Sequence, residues 1–283
     1  MITTDSLAEL RSVCSELPRP LGLVPTMGFL HEGHLSLVRA ARRASASVAV
    51  SIFVNPTQFG PGEDFDSYPR DRDRDIRLLE EEGVDVVWTP SEDSLYPPGF
   101  QTWVQVEDVT QRLEGAHRPE HFRGVTTVVS KLFNTFQPDL AVFGQKDAQQ
   151  VVVIRRMVRD LNFPVEIKVG PIVREPDGLA MSSRNTYLNP AQREAATVLH
   201  QALSAAVEAY EHGEREAAAL RRRMTEVLAE EPLADPEYVS VADPVNLEEL
   251  EGQVASALLS LAVHVGKTRL IDNMLVGDAR LGG

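Results

Sequence analysis

The feature that most constrains the fold is an alternation of short, β-rich apolar runs with amphipathic helical stretches, from Leu21 to about Gly170. In the helical stretches the apolar residues recur every three to four positions. This order predicts a parallel β-sheet covered by helices on both faces. The predicted strands are Leu21–Pro25, Val48–Val54, Val84–Thr89, Leu140–Gly144 and Val165–Val169; the predicted helices are Leu35–Ala44, Asp71–Glu82, Val125–Phe136 and Gln149–Leu161.

The pattern changes after Arg184. Asn189-Pro190 is typical of an N-cap followed by proline at the first helical position, and it opens a long alanine-rich helix to about His212. A second predicted helix precedes three strand-like runs; these segments are Glu214–Glu230, then Tyr238–Ala242, Ala255–Val265 and Lys267–Met274. We therefore expect a Rossmann-like, doubly wound α/β domain over residues 1–174 and a smaller α+β domain over residues 175–283.

The charge balance argues against a nucleic-acid or membrane surface. The 283 residues carry 28 Lys and Arg against 42 Asp and Glu, a formal net charge of −14. Phosphate backbones and acidic lipids are bound through dense basic patches, which such a chain lacks overall. Small anions stay possible ligands, because a few cations and helix ends in one cleft can outweigh a mildly negative field.

The cysteine content and the N-terminal segment favour a cytoplasmic protein. Cys14 is the only cysteine, which excludes an internal disulfide and a multi-cysteine metal site. Its neighbours have helical apolar spacing, so we expect it to be a packing residue rather than a reactive thiol. The first six residues lack the cationic start and apolar run of a secretory signal, and no apolar stretch is long enough to span a membrane.

The first predicted strand leads into two histidines. His31 and His34 follow Pro25-Thr26-Met27-Gly28 and stand where the next helix is expected to begin. Two imidazoles three residues apart at a helix N-terminus can face one phosphate, which the free N–H groups of the helix also favour. Structural histidines are the alternative. A zinc site is a weaker one, because no third ligand is evident.

Polar residues also follow the second and fourth predicted strands. Asn55 and Gln58 offer neutral donors and acceptors suited to a hydroxy acid, although either could simply cap a turn. After the fourth strand, Lys146 is a compact cation suited to phosphate, Asp147 can accept from ribose hydroxyls or hold a metal's water, and Gln150 lies one turn on. A surface Lys–Asp pair is the alternative there.

A fourth polar segment follows the glycine-bearing turn Asp177-Gly178. Ser182, Ser183 and Arg184 supply two hydroxyls and a guanidinium in sequence, a set of donors suited to a triphosphate, although plain polar connections contain such residues too. Ligands of parallel α/β sheets collect at the carboxyl ends of the strands. Three anion-compatible motifs at strand ends and this Ser-Ser-Arg loop together indicate a nucleotide-binding enzyme.

One further run, Arg70 to Asp75, alternates Arg with Asp. It is typical of a solvated helix start, with substrate gating as the alternative. We expect its side chains to be exposed.

The His31-Glu32-Gly33-His34 and Met181-Ser182-Ser183-Arg184 motifs resemble the two signatures of the nucleotidyltransferase superfamily, which includes class I aminoacyl-tRNA synthetases. Within it, six ordered motifs resemble the pantothenate synthetase family: Pro25-Thr26-Met27-Gly28, Phe53-Val54-Asn55-Pro56-x-Gln58-Phe59, Tyr68-Pro69-Arg70, His121-Phe122-Arg123-Gly124-Val125, Gly144-x-Lys146-Asp147-x-Gln149-Gln150 and Met181-Ser182-Ser183-Arg184-Asn185. The similarity spans roughly residues 20 to 190 and continues weakly through Tyr238 and Thr268-Arg269-Leu270-Ile271-Asp272-Asn273.

This resemblance implies an AMP-forming ligase of pantothenate biosynthesis, which joins pantoate to β-alanine through pantoyl adenylate, and a homodimer with a C-terminal domain that closes over the site. It implies ATP as a substrate. Mg²⁺ is expected because ATP brings it, usually with few protein ligands, and the sequence shows no dedicated metal site. Gln145 occupies a position where glutamate is frequent in the family, outside the binding roles.

The resemblance also assigns residue roles. His31, His34, Lys146, Ser182, Ser183 and Arg184 would bind the triphosphate, and the candidate catalytic residues among them are His34, Lys146, His31 and Arg184. Ribose and adenine would be held by Gly144, Asp147, Val173 and Met181. Pantoate would be held by Met27, Asn55, Gln58 and Gln150, and Met27 would also contact ATP.

Two other functions stay open from the residues alone. A different adenylyltransferase of the superfamily would release pyrophosphate without needing β-alanine. A non-catalytic nucleotide-binding protein would bind ATP and form no AMP. A tRNA synthetase is disfavoured, because the chain is short, acidic and without an evident RNA-binding domain.

Overall fold

The computed structural model describes all residues from 1 to 283 and contains two sheets. The larger sheet has six parallel strands in the order β1-β4-β3-β2-β5-β6. Its strands are β1 Ile2–Thr4, β2 Leu21–Thr26, β3 Ser47–Ile52, β4 Val86–Trp88, β5 Leu140–Gly144 and β6 Glu166–Gly170. The helices that lie between or after these strands in the chain are α1 Leu7–Glu16, α2 Glu32–Ala44, α3 Arg72–Glu81, α4 Glu92–Leu95, α5 Leu113–His117, α6 His121–Phe136 and α7 Ala148–Asp160.

The central strands are buried on both faces, which explains why they read as nearly continuous apolar runs. In β3, five successive residues from Ser47 to Ser51 are buried. Strands β2 and β3 pair in register from Leu21 opposite Ser47 to Thr26 opposite Ile52. Parallel strands need helical crossovers, and those helices cover both faces of the sheet. The predicted doubly wound α/β fold is confirmed.

The predicted elements of this sheet are all present, with shifted ends. Helix α2 begins at Glu32 rather than Leu35, and α6 begins at His121 rather than Val125. Strand β1 was not predicted. Its three residues carry no periodic signal, and Ile2 is 44% exposed, so only the pairing with Val86–Trp88 of β4 makes it a strand.

The second sheet has three antiparallel strands in the order β7-β8-β9. They are β7 Ala234–Ala242, β8 Ala257–Val265 and β9 Thr268–Val276, preceded by α8 Pro190–Ala195, α9 Val198–Glu211 and α10 Ala217–Ala229. One face of the sheet and these helices share an apolar core that includes Leu199, Leu203, Leu220, Leu259 and Leu261. The smaller predicted α+β unit is confirmed as a fold.

The single long helix expected from Pro190 to His212 is wrong, because the chain turns at Ala196-Thr197 and forms two helices. The N–H of Thr197 bonds to the carbonyl of Glu194, three residues back, and the Thr197 hydroxyl also donates to that oxygen at 2.8 Å. Threonine hydroxyls compete with the helical pattern in this way. Pro236 in β7 is tolerated because β7 is an edge strand.

Two compact units make up the chain. The first comprises residues 1–107, 118–144 and 153–171, and the second comprises residues 108–117, 145–152 and 172–283. The simple boundary between residues 174 and 175 stays a prediction. No helix has the length and apolar character needed to cross a bilayer. The expected packing role of Cys14 is confirmed: it is buried in α1, and burial raises the pKa of its thiol to about 11.

Candidate active site

The loop after β2 depends on a glycine. Gly28 has φ +80°, and a Cβ at that position would lie 2.9 Å from Ile52 Cγ2 and 3.0 Å from Asp75 Oδ2. Both the positive φ and the lack of space therefore require glycine. Phe29 follows with φ 49°, so the chain turns sharply between β2 and α2. This turn delivers His31 and His34 to the carboxyl edge of the sheet.

The start of α3 holds this turn in place. The backbone N–H groups of Phe29 and Leu30 each donate to the Asp75 carboxylate at 2.7 Å, and the Arg74 guanidinium donates to the Leu30 carbonyl at 2.8 Å. Asp75 is 1% exposed, so the expectation that its side chain is solvated is wrong. Burial raises the pKa of the Asp75 carboxyl, and the two N–H donors offset this only in part.

His31 and His34 come together at the N-terminus of α2. His31 is the N-cap, and its backbone N–H donates to His34 Nδ1 at 3.3 Å. The two ring centroids are 4.1 Å apart. Because His34 Nδ1 accepts, the neutral ring carries its proton on Nε2, which can then donate to an anion. The first-turn N–H groups of α2 add positive potential at the same place. The two imidazoles therefore lie together at the helix N-terminus, and their binding of an anion stays a prediction.

A second polar cluster, formed by Met27, Asn55 and Gln58, lies in the segments that follow β2 and β3. Asn55 Nδ2 donates to Gln58 Oε1 at 3.1 Å, and Gln58 Nε2 contacts Met27 Sδ at 3.2 Å. Asn55 is 1% exposed and accepts at Oδ1 from the Tyr96 hydroxyl at 2.9 Å and the Thr57 hydroxyl at 3.0 Å. The structure thus brings three of the four predicted pantoate residues into contact. Gln150 lies in the first turn of α7.

Helix α6 supports this cluster from beneath. A Cβ at Gly124 would lie 2.6 Å from the Thr57 carbonyl carbon and 2.7 Å from the Gln58 backbone N, and still closer to the Thr57 oxygen. Asn55 Nδ2 also donates to the Gly124 carbonyl at 3.2 Å, and His121 Nδ1 is 2.8 Å from the Gln58 carbonyl. The His-Phe-Arg-Gly-Val motif therefore lets α6 approach the Asn55–Gln58 segment closely.

An ion pair braces the same segment. Arg118 binds Glu63 through Nε at 2.7 Å and Nη2 at 2.6 Å, and Nη2 also donates to the Gln58 carbonyl at 3.3 Å. Burial by itself raises the pKa of Glu63, but the hydrogen bonds and charge of Arg118 outweigh it and lower that pKa. A two-point guanidinium contact restricts the rotation of both side chains. The Gln58 backbone is therefore held from two directions.

In the second unit, Lys146 and Asp147 occupy the 3₁₀ turn Gln145–Asp147, which directly follows β5. Asn273 of β9 fixes this turn: its Nδ2 donates to the carbonyls of Gln145 at 3.0 Å and Lys146 at 2.9 Å. Lys146 Nζ stands 4.0 Å from Asp147 Oδ1, the limit of an ion pair. The Lys146 side chain is therefore available to another anion. Gly144 is the last residue of β5, in the first unit.

A hairpin precedes the Ser-Ser-Arg loop. Met181 N donates to the Val173 carbonyl at 3.0 Å, and Arg174 pairs with Ala180, so the two predicted nucleoside residues, Val173 and Met181, lie side by side. The predicted turn at Asp177-Gly178 closes the hairpin. Arg174 fixes it to β9 through a two-point contact with the buried Asp272, at 2.6 and 3.0 Å.

The loop itself begins a short 3₁₀ helix, Ser183–Tyr187. Ser182 is its N-cap, and the Ser182 hydroxyl accepts from the Arg184 N–H at 3.3 Å. Ser183 is buried, whereas Ser182 and Arg184 are partly exposed. The Asn185 side chain ties the loop to the hairpin through the Ala180 carbonyl at 3.1 Å. The predicted triphosphate residues of this loop are adjacent and ordered by local hydrogen bonds.

Sequence reasoning missed the side chains that support these loops. They are Asp75, Tyr96, Arg174 and Asn273. For Asp75 a signal existed, because it lies four residues before the buried Leu79 and so shares the inner face of α3. No comparable local signal marks the other three, whose partners are distant in sequence.

This chain is similar to known proteins over nearly its whole length. A model of the pantoate–β-alanine ligase family matches residues 2–275. The pantothenate synthetase of Thermoanaerobacter sp. (strain X514) is 57% identical over 281 residues, covering 98% of this chain and 99% of that protein. The crystal structure of pantothenate synthetase from Thermus thermophilus is 50% identical, covers 97% of this chain and 99% of its own, and superposes with a TM-score of 0.93.

A second solved structure is a pantoate–β-alanine ligase from Francisella tularensis, complexed with βγ-ATP and β-alanine. It is 34% identical, covers 97% of both chains and has a TM-score of 0.80. Because the family model and these relatives match nearly the whole chain, the chain belongs to the pantoate–β-alanine ligase family.

Proposed function

We propose that this enzyme condenses pantoate with β-alanine in two steps that consume ATP. In the first step a pantoate carboxylate oxygen attacks the α-phosphorus of ATP, and pyrophosphate leaves. In the second step the free amine of β-alanine attacks the acyl carbon of pantoyl adenylate, AMP leaves, and the amine loses one proton. The observation that carries the proposal is the family match across residues 2–275.

The geometry of the first unit supports this chemistry at two places. The paired imidazoles and the N-terminal turn of α2 offer several donors to phosphate oxygens, so we propose that His31 and His34 bind the triphosphate. The contacts among Met27, Asn55 and Gln58 provide amide donors and acceptors without a formal charge. We propose that this cluster binds the hydroxyls and carboxylate of pantoate, together with Gln150. Met27 is also assigned a contact with ATP.

The second unit supplies the remaining cations and hydroxyls. We propose that Lys146, Ser182, Ser183 and Arg184 bind the triphosphate and that Asp147 binds ribose. Gly144, Val173 and Met181 complete the ribose and adenine contacts. The turn at Lys146 is fixed by Asn273, and the hairpin of Val173 and Met181 is fixed by Arg174, so these groups are held in place before a ligand arrives.

Catalysis then consists of positioning and charge stabilisation. Negative charge grows on the α-phosphate and on the leaving pyrophosphate, and donors fixed in advance stabilise that charge without reorganising. His34 and Lys146 are the first candidates for this role, followed by His31 and Arg184. No covalent intermediate with the enzyme is needed, and β-alanine enters as the free amine.

Magnesium accompanies ATP in this proposal and neutralises part of the phosphate charge. Protein-bound Mg²⁺ of this kind takes most of its ligands from phosphate and water. No group of three or more His, Cys, Asp or Glu side chains is placed to hold a metal ion. Asp147 is the carboxylate best suited to a magnesium-bound water. The homodimer and the cytoplasmic location stay predictions.

The test is a reaction with ATP, pantoate and β-alanine in which each component is omitted in turn. The proposal expects AMP and pantothenate in equal amounts only when all three are present, and pantoate-dependent exchange of labelled pyrophosphate into ATP without β-alanine. AMP formation that does not need pantoate would contradict the proposal. Steady AMP release with pantoate but without β-alanine would instead indicate another adenylyl transfer.

A further inference from the structure

The loop that carries His31 and His34 is attached to a helix that lies far from it in sequence. Residues 27–30 connect β2 to α2, whereas Arg74 and Asp75 belong to the first turn of α3. Three hydrogen bonds join the two segments, two to the Asp75 carboxylate and one from Arg74. The Arg74 guanidinium also lies over the Phe29 ring, 5.6 Å from its centroid. The loop is thus clamped at both its N–H and its carbonyl groups.

We propose that Arg74 and Asp75 are positioning residues for the reaction, which set the places of His31 and His34 by clamping the main chain of Phe29 and Leu30. Neither residue is assigned a contact with substrate. The inference rests on the proposed function only in taking His31 and His34 as the triphosphate-binding histidines.

The hydrogen bonds from Phe29 and Leu30 require a carboxylate at position 75. Two N–H groups converge on its two oxygens, one on Oδ1 and one on Oδ2, both at 2.7 Å. Only an ionised carboxylate offers two acceptors in that arrangement. An amide would place its NH₂ group against one of the two N–H donors. Hydrogen bonds to a charged acceptor are also stronger than neutral ones.

The burial of Asp75 indicates that it anchors the loop rather than forming part of a solvated charged surface. Asp75 is 1% exposed, and burial raises the pKa of its carboxyl above the ordinary value. A carboxylate kept buried at such a disadvantage is typical of functional positions. The neighbouring Asp73, by contrast, is exposed on the same helix. The alternating run therefore contains one buried anchor among solvated charges.

The hydrogen bonds of Arg74 and Asp75 act on the histidines through the short main-chain segment from Phe29 to His31. Leu30 is bonded covalently to His31, which caps α2, and the Gly28 turn leaves no room for the loop to shift toward Ile52 or Asp75. Loss of an anchor therefore moves His31 and His34 together. A shift of about 1 Å in a catalytic group is enough to lower a rate ~100-fold.

The test compares Asp75→Asn with Asp73→Asn, which makes the same charge change on an exposed residue of the same helix. For Asp75→Asn we expect kcat/KM for ATP to fall about 10- to 100-fold, as for the loss of one hydrogen bond to a charged group. KM for pantoate should change by less than about threefold, because Asn55 and Gln58 lie after β3, outside the loop of residues 27–30. Asp73→Asn should match the wild type.

A double-mutant cycle separates positioning from general stability. If Asp75 acts through His34, the double variant Asp75→Asn with His34→Ala should be scarcely slower than His34→Ala alone. Binding of α,β-methylene-ATP should weaken in parallel. Losses that multiply independently, or a fall in pantoate affinity equal to that for ATP, would overturn the proposal.

Arg74→Ala provides a second route if Asp75→Asn does not fold. The Arg74 side chain is 42% exposed, so its removal leaves the core intact, and we expect a three- to tenfold loss in kcat/KM for ATP. Wild-type kcat/KM for ATP in Arg74→Ala, or in a folded Asp75→Asn, would refute the clamp and leave the proposed reaction standing. A wild type that forms no pantoate-dependent AMP would refute the proposed reaction instead.

Discussion

Replacing Gly124 by alanine should damage the predicted pantoate cluster while leaving the fold intact. The new methyl group would lie 2.6 Å from the Thr57 carbonyl carbon and 2.7 Å from the Gln58 backbone N. This is roughly 1 Å short of an ordinary carbon contact. All the nearest atoms are backbone, so no side-chain rotation relieves the clash. Either α6 or the segment around Thr57 and Gln58 must move.

The magnitudes separate an effect on activity from an effect on stability. Overpacking destabilises by about 1–3 kcal/mol, and alanine in place of glycine within a helix returns about 1 kcal/mol. The net loss of about 0–2 kcal/mol is small against the ~5–15 kcal/mol of an ordinary domain. A displacement approaching 1 Å at Gln58, however, can lower the rate about 10- to 100-fold. Asn55 moves as well, because it donates to the Gly124 carbonyl.

The assay is steady-state kinetics with pantoate as the varied substrate, beside a urea unfolding curve for the same preparation. We expect kcat/KM for pantoate to fall about 10- to 100-fold, with a smaller change for ATP. Gly60→Ala is the matched control, since its Cβ would lie 3.5 Å from the Glu63 carboxylate, which is an ordinary van der Waals contact. A folded Gly124→Ala enzyme within twofold of wild type for pantoate would refute the reasoning.

Four further substitutions have defined outcomes. His34→Ala and Lys146→Ala should each lower the rate of pantoate-dependent pyrophosphate exchange ~100-fold or more, as for the loss of a charge-stabilising donor, and near-normal exchange in a folded variant would remove that residue from the role. Asn273→Ala should free the turn of Gln145 and Lys146 and lower kcat about tenfold with a stability loss of ~1–3 kcal/mol; an unchanged kcat would show that the turn holds its shape without Asn273. Burial and, after it, the charge of Arg174 lower the pKa of His200, although the charges of Asp272 and Asp177 act to raise it. Neutral His200 therefore contributes to the stability of the folded protein above the unfolded pKa of about 6.5. This contribution is lost as the pH falls toward the lower folded pKa. His200→Gln should remove that part of the pH dependence in thermal melts, whereas His212→Gln, an exposed control, should not.

The parts of the fold that sequence predicts are those set by local periodicity. The runs that become β2 and β3 are apolar because both faces of the sheet are covered, and α2 and α7 show their inner faces by three-to-four-residue spacing. Strand β1 is different. Its three residues are paired only by distant Val86–Trp88, so no window of its own sequence contains the cause.

The candidate site also contains residues that could be predicted from the sequence and residues that could not. The positions of His31, Asn55 and Lys146 were predictable, because residues that follow the strands of a parallel sheet lie at its carboxyl edge. Their binding roles stay predictions. The contacts of the residues that support these loops were not predictable. Asp75 acts on Phe29 across 46 residues, and Asn273 acts on Gln145 across 128 residues. The spacing of Asp75 from the buried Leu79 marks it as an inward-facing residue, but its contact with Phe29 is set by tertiary packing. The contact of Asn273 with Gln145 is set in the same way.

Gly124 lies between these cases. The sequence marks it only as part of a motif, and glycine inside a helix usually weakens it. The close approach of Thr57 and Gln58 supplies the physical reason for its presence.

Activation of pantoate as an adenylate can be followed with pantoate labelled with ¹⁸O in its carboxylate. Attack of that carboxylate on the α-phosphorus, followed by amine attack on the acyl carbon, leaves one labelled oxygen in AMP. Mass spectrometry should therefore find one ¹⁸O in each AMP formed and one fewer in the pantothenate than in the pantoate. Unlabelled AMP, or labelled phosphate released together with ADP, would contradict the account.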